Sequence, residues 1–229
     1  MTRIFENMSE AMDEIERDIM EMGIVVHPHS MQNKDVKDDD RYSTKEVQNY
    51  SFTILDLADK NSCIENVQWC IDEMAERLTM VPQNPGEAWL LRKTVWEEFL
   101  NKEGQFDYTY GERFSYFNQI GKIIAELTEN PDTRQAILHV HFPEDVDSIR
   151  QKRIPCSMYY QFMIRRGKLD VIYNMRSSDF ATHFRNDVWL ADELRNYIAN
   201  FVGIERGLFS MNVGSLHIYK GYGNHKHVF

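Results

Sequence analysis

An α+β fold in a single domain follows from three features of the sequence. Segments with apolar residues three or four apart occur among runs that alternate apolar and polar, so the chain codes for both helices and strands. No linker, internal repeat or low-complexity stretch divides the 229 residues, so residues 1–229 read as one unit. Apolar residues make up 42% and charged residues 27%, an ordinary balance for a soluble globular domain with a substantial core.

The elements follow in order. "ENMSEAMDEIERDIMEMG" has helical spacing and a glycine stop, which predicts a helix over about residues 7–22. "IVVHP" reads as a short strand. The polar stretch from His29 to Gln48 reads as a long surface loop, and "NYSFTILDL" as the next strand. "NSCIENVQWCIDEMAERLTM" predicts a helix capped at Asn61-Ser62, with Ile64, Val67, Ile71, Met74 and Leu78 as its buried stripe. "VPQNPGE" breaks the chain. A short helix, a glycine-marked turn and an aromatic loop follow, then a helix in "SYFNQIGKIIAELTENPD" stopped by Asn-Pro. "TRQAILHVHF" and "CSMYYQFMIRRGKLDVIYNMRS" alternate as strands, the latter with a hairpin turn at Arg-Gly-Lys. "NDVWLADELRNYIANFVG" is a helix with an Asn/Asp start and a Gly stop. "GLFSMNVGSLHIY" is the last strand.

Charge and composition exclude several functions. The net charge of −10 argues against gripping polymeric nucleic acid, whose affinity comes largely from phosphate contacts. A few arginines in a pocket could still hold a single phosphate. No apolar run approaches the ~20 residues that a bilayer span requires. The acidic, amphipathic N-terminus is neither a signal nor a transit peptide, which leads us to expect a cytoplasmic protein. Three cysteines without a CxxC pair fit reduced thiols. "HVH" at 139–141 and "HKH" at 225–227 lack a carboxylate or Cys at zinc spacing, so no metal is expected.

Cys156 follows Pro155 at the mouth of an alternating run, and reads either as a small buried side chain or as a nucleophile. It heads an ordered series: Pro155-Cys156, Arg176-Ser177-Ser178-Asp179, Asp187 eight residues later at a helix start, and His217-x-Tyr219 on the final strand. In order and spacing this series resembles the thymidylate synthase superfamily. Weaker matches at "NPDTRQ", "YTYGERF" and "CIDEMAERL" extend the resemblance over roughly residues 60–220.

The resemblance implies a mixed β-sheet flanked by helices, with the sheet packed at a homodimer interface. It also implies a reaction between 5,10-methylenetetrahydrofolate and a pyrimidine deoxynucleoside monophosphate. Carbon 5 of a pyrimidine is a poor nucleophile. Thiolate attack at carbon 6 makes it enamine-like and able to take a one-carbon unit. Cys156 would be that nucleophile, with Arg176 as the cation favouring its thiolate. Cys63 and Cys70 would carry no role. Glu73 matches the general acid/base, Tyr110 a tyrosine beside the nucleophile, and Asp179 and Trp96 the residues on the folate side. Arg176, Ser177 and Arg134 would hold the phosphate, Arg134 being lent by the neighbouring subunit. Gln135 stands where the family usually has a second arginine, so a further cation could come from Lys34, Lys37, Arg41 or Lys45. His217 and Tyr219 share a strand face and would bond the sugar 3′-hydroxyl.

Asp187 discriminates between branches. Synthases acting on deoxyuridylate carry asparagine there, which can both accept from N3–H and donate to O4. A carboxylate only accepts, which suits the amino group of cytosine, and N3 if it is protonated during reaction. "FRND" and "NVGSLH" likewise look most like deoxycytidylate hydroxymethylases. Only ten residues follow Tyr219, fewer than the closing tail of the synthases, so water access and a hydroxymethyl product are expected. Methylation of deoxycytidylate or deoxyuridylate is the alternative. A non-catalytic nucleotide- or RNA-binding relative is an alternative of another class.

Overall fold

A computed structural model describes residues 2–221 and Phe229. Strand β1 (Arg3–Phe5) leads into helix α1 (Met8–Met22), whose Asn7 cap accepts from the Glu10 amide. Helix α1 buries Met8, Ala11, Met12, Ile15 and Ile19, at the predicted spacing. Strand β2 (Ile24–Val26) and a small ribbon, β3 (Ser30–Met31) with β4 (Lys34–Asp35), precede β5 (Thr44–Ile54). The expected loop is thus shorter than its polarity suggests: residues 44–48 pair with the last strand, and that pairing satisfies a polar backbone that hydrophobicity alone would not order.

Helix α2 (Val67–Leu78) starts at Asn66, whose side chain accepts from the Trp69 amide; residues 60–63 form a separate 3-10 turn. Of the predicted stripe, Ile64 and Met74 are buried and Val67 and Leu78 pack against the core. Trp69, Cys70 and Met74 are buried, whereas Ile71 is 47% exposed. Helices α3 (Lys93–Trp96) and α4 (Tyr110–Ser115) are short. Helix α5 (Gln119–Glu129) begins only after Phe117 and Asn118 take left-handed backbone angles, so the expected helix from Ser115 is broken there. Strand β6 (Ile137–His139) is brief. Strands β7 (Ser157–Arg165) and β8 (Lys168–Asp179) form the predicted hairpin, with Arg166 and Gly167 both at positive φ, as a tight two-residue turn demands. A single wide turn, Phe180–Phe184, feeds helix α6 (Arg185–Val202), which ends at Gly203 with φ of 78° before β9 (Glu205–Tyr219).

The sheet runs β1-β5-β9-β8-β7-β6, with β2 also on β5. It is mixed: β1–β5 and β8–β9 are parallel, the other pairs antiparallel. Helices α1 and α6 contribute to one core with the sheet's inner residues, among them Phe52, Tyr160, Phe162, Tyr173, Phe209 and Met211. Tyr160 and Tyr173 stack at 4.1 Å. Each buried aromatic of this kind stabilises the fold by roughly 1.5–3 kcal/mol. Among the described residues no helix is long and apolar enough to cross a membrane.

Register builds the site. In the parallel pair β8–β9, Ser177 lies opposite Ser215 and Asp179 opposite His217. Gly214 permits this closeness beside Arg176: a β-carbon there would sit 2.8 Å from the Arg176 carbonyl oxygen. The Arg176 amide donates to the Cys156 carbonyl at 2.8 Å, which ties the cysteine to the same strand ends.

Candidate active site

A cavity of about 260 Å³ opens where β7, β8 and β9 meet the wide turn before α6. Its wall contains Cys156, Arg176, Ser177, Asp179, Asp187, His217, Tyr219, Tyr110 and Trp96. Residues far apart in sequence thus share one chamber.

Cys156 is partly exposed and receives the Gln32 amide at 3.8 Å from Sγ. Arg176 is anchored just before it, with Nε donating to the Pro155 carbonyl at 2.9 Å and Nη2 to the Ile154 carbonyl at 3.1 Å. Tyr110 opens α4, and its hydroxyl bonds Ser157, the residue after the thiol, at 2.9 Å. Ser157 in turn bonds Tyr173. Burial pushes the Tyr110 phenol well above its ordinary value, so it stays protonated. His217 is buried and therefore titrates below the ordinary histidine range; its ring meets Tyr219 edge-on at 4.9 Å. Asp179 accepts from the Ala181 amide at 3.1 Å, so it caps the wide turn as well as facing the cavity. Indole Nε1 of Trp96 is buried without a partner among the described residues, an unfilled donor in an aromatic wall that fits a flat, acceptor-bearing heterocycle such as a pterin.

Two predicted residues lie apart. Glu73 lines a smaller neighbouring pocket of about 50 Å³, which shares Trp96, Tyr108, Tyr110 and Arg153 with the main cavity. Its carboxylate accepts from Arg77 Nε at 2.8 Å, and the Arg77 guanidinium lies 3.8 Å over the Tyr110 ring. Arg134 is exposed beside β6 and is not part of the cavity wall of its own chain. Of the loop cations, Lys34 pairs with Glu98, Arg41 with Asp39, and Lys45 donates to the Met20 carbonyl. Lys37 lines, with Arg150, a pocket of about 310 Å³ that shares Ser30 and Gln32 with the main cavity.

Sequence reading missed Arg153, His183 and Ser178, all on the cavity wall. Arg153 sits three residues before the thiol, 4.0 Å from the Phe99 ring centre, and its Nε is buried without a hydrogen-bond partner among the described residues. Ser178 lies within the run Arg176-Ser177-Ser178-Asp179, and His183 between that run and Asp187. The i, i+4 spacing of His183 and Asp187 was the available signal. Of the histidine motifs, His139 is exposed on β6, and 225–227 lies outside the described residues. Among the described residues no group of three or more His, Cys, Asp or Glu is placed to hold a metal ion.

Asp187 differs in kind from the other buried carboxylate of α6. Asp192 is matched by Lys60 at 2.5 Å, Arg206 at 3.2 Å and Arg195. Asp187 is 4% exposed, yet its near partners are the Ser178 hydroxyl at 3.0 Å and a neutral histidine. Burial raises its carboxyl from 3.8 to about 7, with Arg77, the Ser178 hydrogen bond and Arg92 acting in the opposite sense. Between those values the unfolded chain gives up this proton and the folded chain keeps it. Stability from this group is therefore highest in acid and is lost as pH rises through about 7. Asp187→Asn should remove that loss. In urea titrations the variant should gain on the parent by roughly 2–4 kcal/mol between about pH 5 and about pH 8. A difference independent of pH would contradict the burial of an ionisable carboxyl.

A family profile described as thymidylate synthase matches residues 14–227. The chain belongs to the thymidylate synthase family. It is 30% identical over 157 residues to a Methanosarcina acetivorans protein provisionally named a thymidylate synthase, covering 62% of this chain and 71% of that one. It is 27% identical over 168 residues to the deoxycytidylate 5-hydroxymethyltransferase of Enterobacteria phage T4, covering 68% of this chain and 67% of that one. Thymidylate synthase A from Bacillus subtilis superposes with a TM-score of 0.73 over 93% of this chain and 80% of that chain, at 20% identity, which is likeness of fold. The thymidylate synthase family transfers one-carbon units from methylenetetrahydrofolate to pyrimidine nucleotides, and the α+β fold with a mixed sheet agrees with that membership.

Proposed function

We propose that this enzyme transfers a one-carbon unit from 5,10-methylenetetrahydrofolate to carbon 5 of deoxycytidylate, giving 5-hydroxymethyldeoxycytidylate. The observation that carries the reading is the buried Asp187 side chain, ionised above about pH 7, in the same cavity wall as Cys156. Ser178 occupies Oδ2, which leaves Oδ1 for the base. A carboxylate accepts from the 4-amino group of cytosine and meets O4 of uracil with lone pairs. Similarity to the phage T4 hydroxymethyltransferase supports the same base. Methylation, as in the synthases, is the second reading, favoured by the synthase relatives.

Cys156 attacks carbon 6, with the Arg176 guanidinium anchored on the Pro155 carbonyl just before it. Arg176 and Ser177 hold the phosphate from within the chain. Lys37 and Arg150, which line an adjoining pocket, add charge on that side. His217 and Tyr219 bond the sugar. Trp96 and Asp179 face the folate, which supplies the one-carbon unit when bound. Glu73 lines the smaller adjoining pocket together with Tyr110 and is the general acid/base, working through water. Release of tritium to water from carbon 5 of labelled deoxycytidylate, in the presence of methylenetetrahydrofolate, tests this activation; retention of the label rejects it.

The active unit is a homodimer in which Arg134 completes the partner's phosphate site. Its position outside its own cavity is consistent with this. Arg134→Ala and Cys156→Ala, each inactive alone, should regain activity when mixed and allowed to exchange subunits, because one site of the heterodimer keeps both residues. No recovery despite demonstrated exchange would place Arg134 outside the site.

A further inference from the structure

His183 Nε2 lies 3.6 Å from Asp187 Oδ1, too far for a hydrogen bond between them, and both residues line the main cavity. On the other side of the ring, Nδ1 lies 3.0 Å from Nη1 of Arg92. A guanidinium donates and never accepts. Nδ1 is therefore the accepting nitrogen, and the ring proton is on Nε2. A second proton would break the bond to Arg92. Burial, with the charges of Arg92, Arg77 and Arg153, holds His183 well below its ordinary value in any case.

The ring is also fixed in place. Trp69 and Trp96 meet it edge-on at 5.5 Å and 5.3 Å. Arg92 is itself held, donating to the Thr182 carbonyl at 2.7 Å and lying 4.7 Å over Trp69. The cavity wall thus carries one fixed donor, His183 Nε2–H, next to one acceptor, Asp187 Oδ1. The pyrimidine edge is built of adjacent groups of the same two kinds. Cytosine shows an acceptor at N3 and a donor at its 4-amino group, whereas uracil shows the reverse.

We propose that His183 is a second base-reading residue, whose Nε2–H donates to N3 of cytosine while Asp187 accepts from the 4-amino group, with Arg92 as the positioning residue that fixes the donating tautomer. This rests on the cytosine reading above. It supplies the donor that a carboxylate lacks, so neutral cytosine is matched without a proton on N3. Uracil is opposed twice, because its N3–H would meet Nε2–H and its O4 would meet Oδ1. A site that leaves buried groups unpaired in this way discriminates strongly.

Binding of three nucleotides separates the possibilities. Deoxycytidylate, its 3-deaza analogue with C–H in place of N3, and deoxyuridylate are compared by equilibrium dialysis on the wild type, His183→Leu, His183→Gln and Arg92→Met. The wild type should prefer deoxycytidylate over the 3-deaza analogue by about 10- to 100-fold. His183→Leu should reduce that preference below about threefold, and Arg92→Met should reduce it in part. His183→Gln, which keeps a donor, should retain more of it than His183→Leu. Wild type that binds the 3-deaza analogue within threefold of deoxycytidylate overturns the proposal without any variant. So does His183→Leu that keeps the full preference. If either happens while deoxycytidylate still outbinds deoxyuridylate, the cytosine reading stands and His183 alone is excluded. Tighter binding of deoxyuridylate by the wild type overturns the cytosine reading, and this assignment with it.

Discussion

Cys156→Ser should abolish turnover while leaving the fold and nucleotide binding intact. A serine hydroxyl is a weak nucleophile without an adjacent base, and among the described residues no histidine or carboxylate is bonded to this position: its near neighbours are the Gln32 amide and the carbonyl-anchored Arg176. The expected loss is on the order of 10⁴-fold or more in kcat, the scale seen when a nucleophile is removed from a working site. Deoxycytidylate should still bind within a few fold of wild type, because Arg176, Ser177, Asp187 and His217 remain. Activity within tenfold of wild type would rule out covalent catalysis by this thiol.

Asp187→Asn should move base preference towards uracil. The amide keeps the volume of the carboxylate but gains a donor, which can meet O4. It also loses the charge that strengthens the bond from the 4-amino group. Losing a charge-assisted hydrogen bond in a closed site costs about 2–4 kcal/mol, or roughly 30- to 1000-fold. The quantity to measure is the ratio of kcat/KM for deoxycytidylate over deoxyuridylate. A change of less than about threefold would mean that Asp187 does not read the base. The same substitution is expected to stabilise the free protein above about pH 7, so function and stability should move in opposite directions at this residue.

What could be read from the sequence was what lies along one strand or one helix. Cys156, Arg176, Ser177, Asp179, His217 and Tyr219 all sit at or beside the ends of β7, β8 and β9, and their spacing survives as a linear motif because neighbouring strands hold them in register. His183 was invisible as a base reader despite standing inside that motif. Its tautomer is set by Arg92, 91 residues away in the chain, and no local pattern encodes that contact. The same applies to Glu73 and Tyr110, which were read as separate site residues. Arg77 links them, pairing with one and lying over the other. In α2 the start and one stripe position differ from the sequence reading. Asn61, Ser62 and Asn66 all suit a cap, and the helix begins at Asn66; Trp69 and Cys70 face inward while Ile71 faces outward. The start of β5 was missed because Thr44–Gln48 is polar, and a strand in mid-sheet takes its stability from its neighbours, here β9 and β2.

Mass spectrometry of the products from deoxycytidylate and deoxyuridylate, incubated side by side with methylenetetrahydrofolate, addresses the central claim most directly. Hydroxymethylation of cytosine predicts a gain of one CH₂O unit on deoxycytidylate and little or no product from deoxyuridylate. Deoxyuridylate converted preferentially, with a gain of one CH₂ unit, would contradict both the base and the product proposed here.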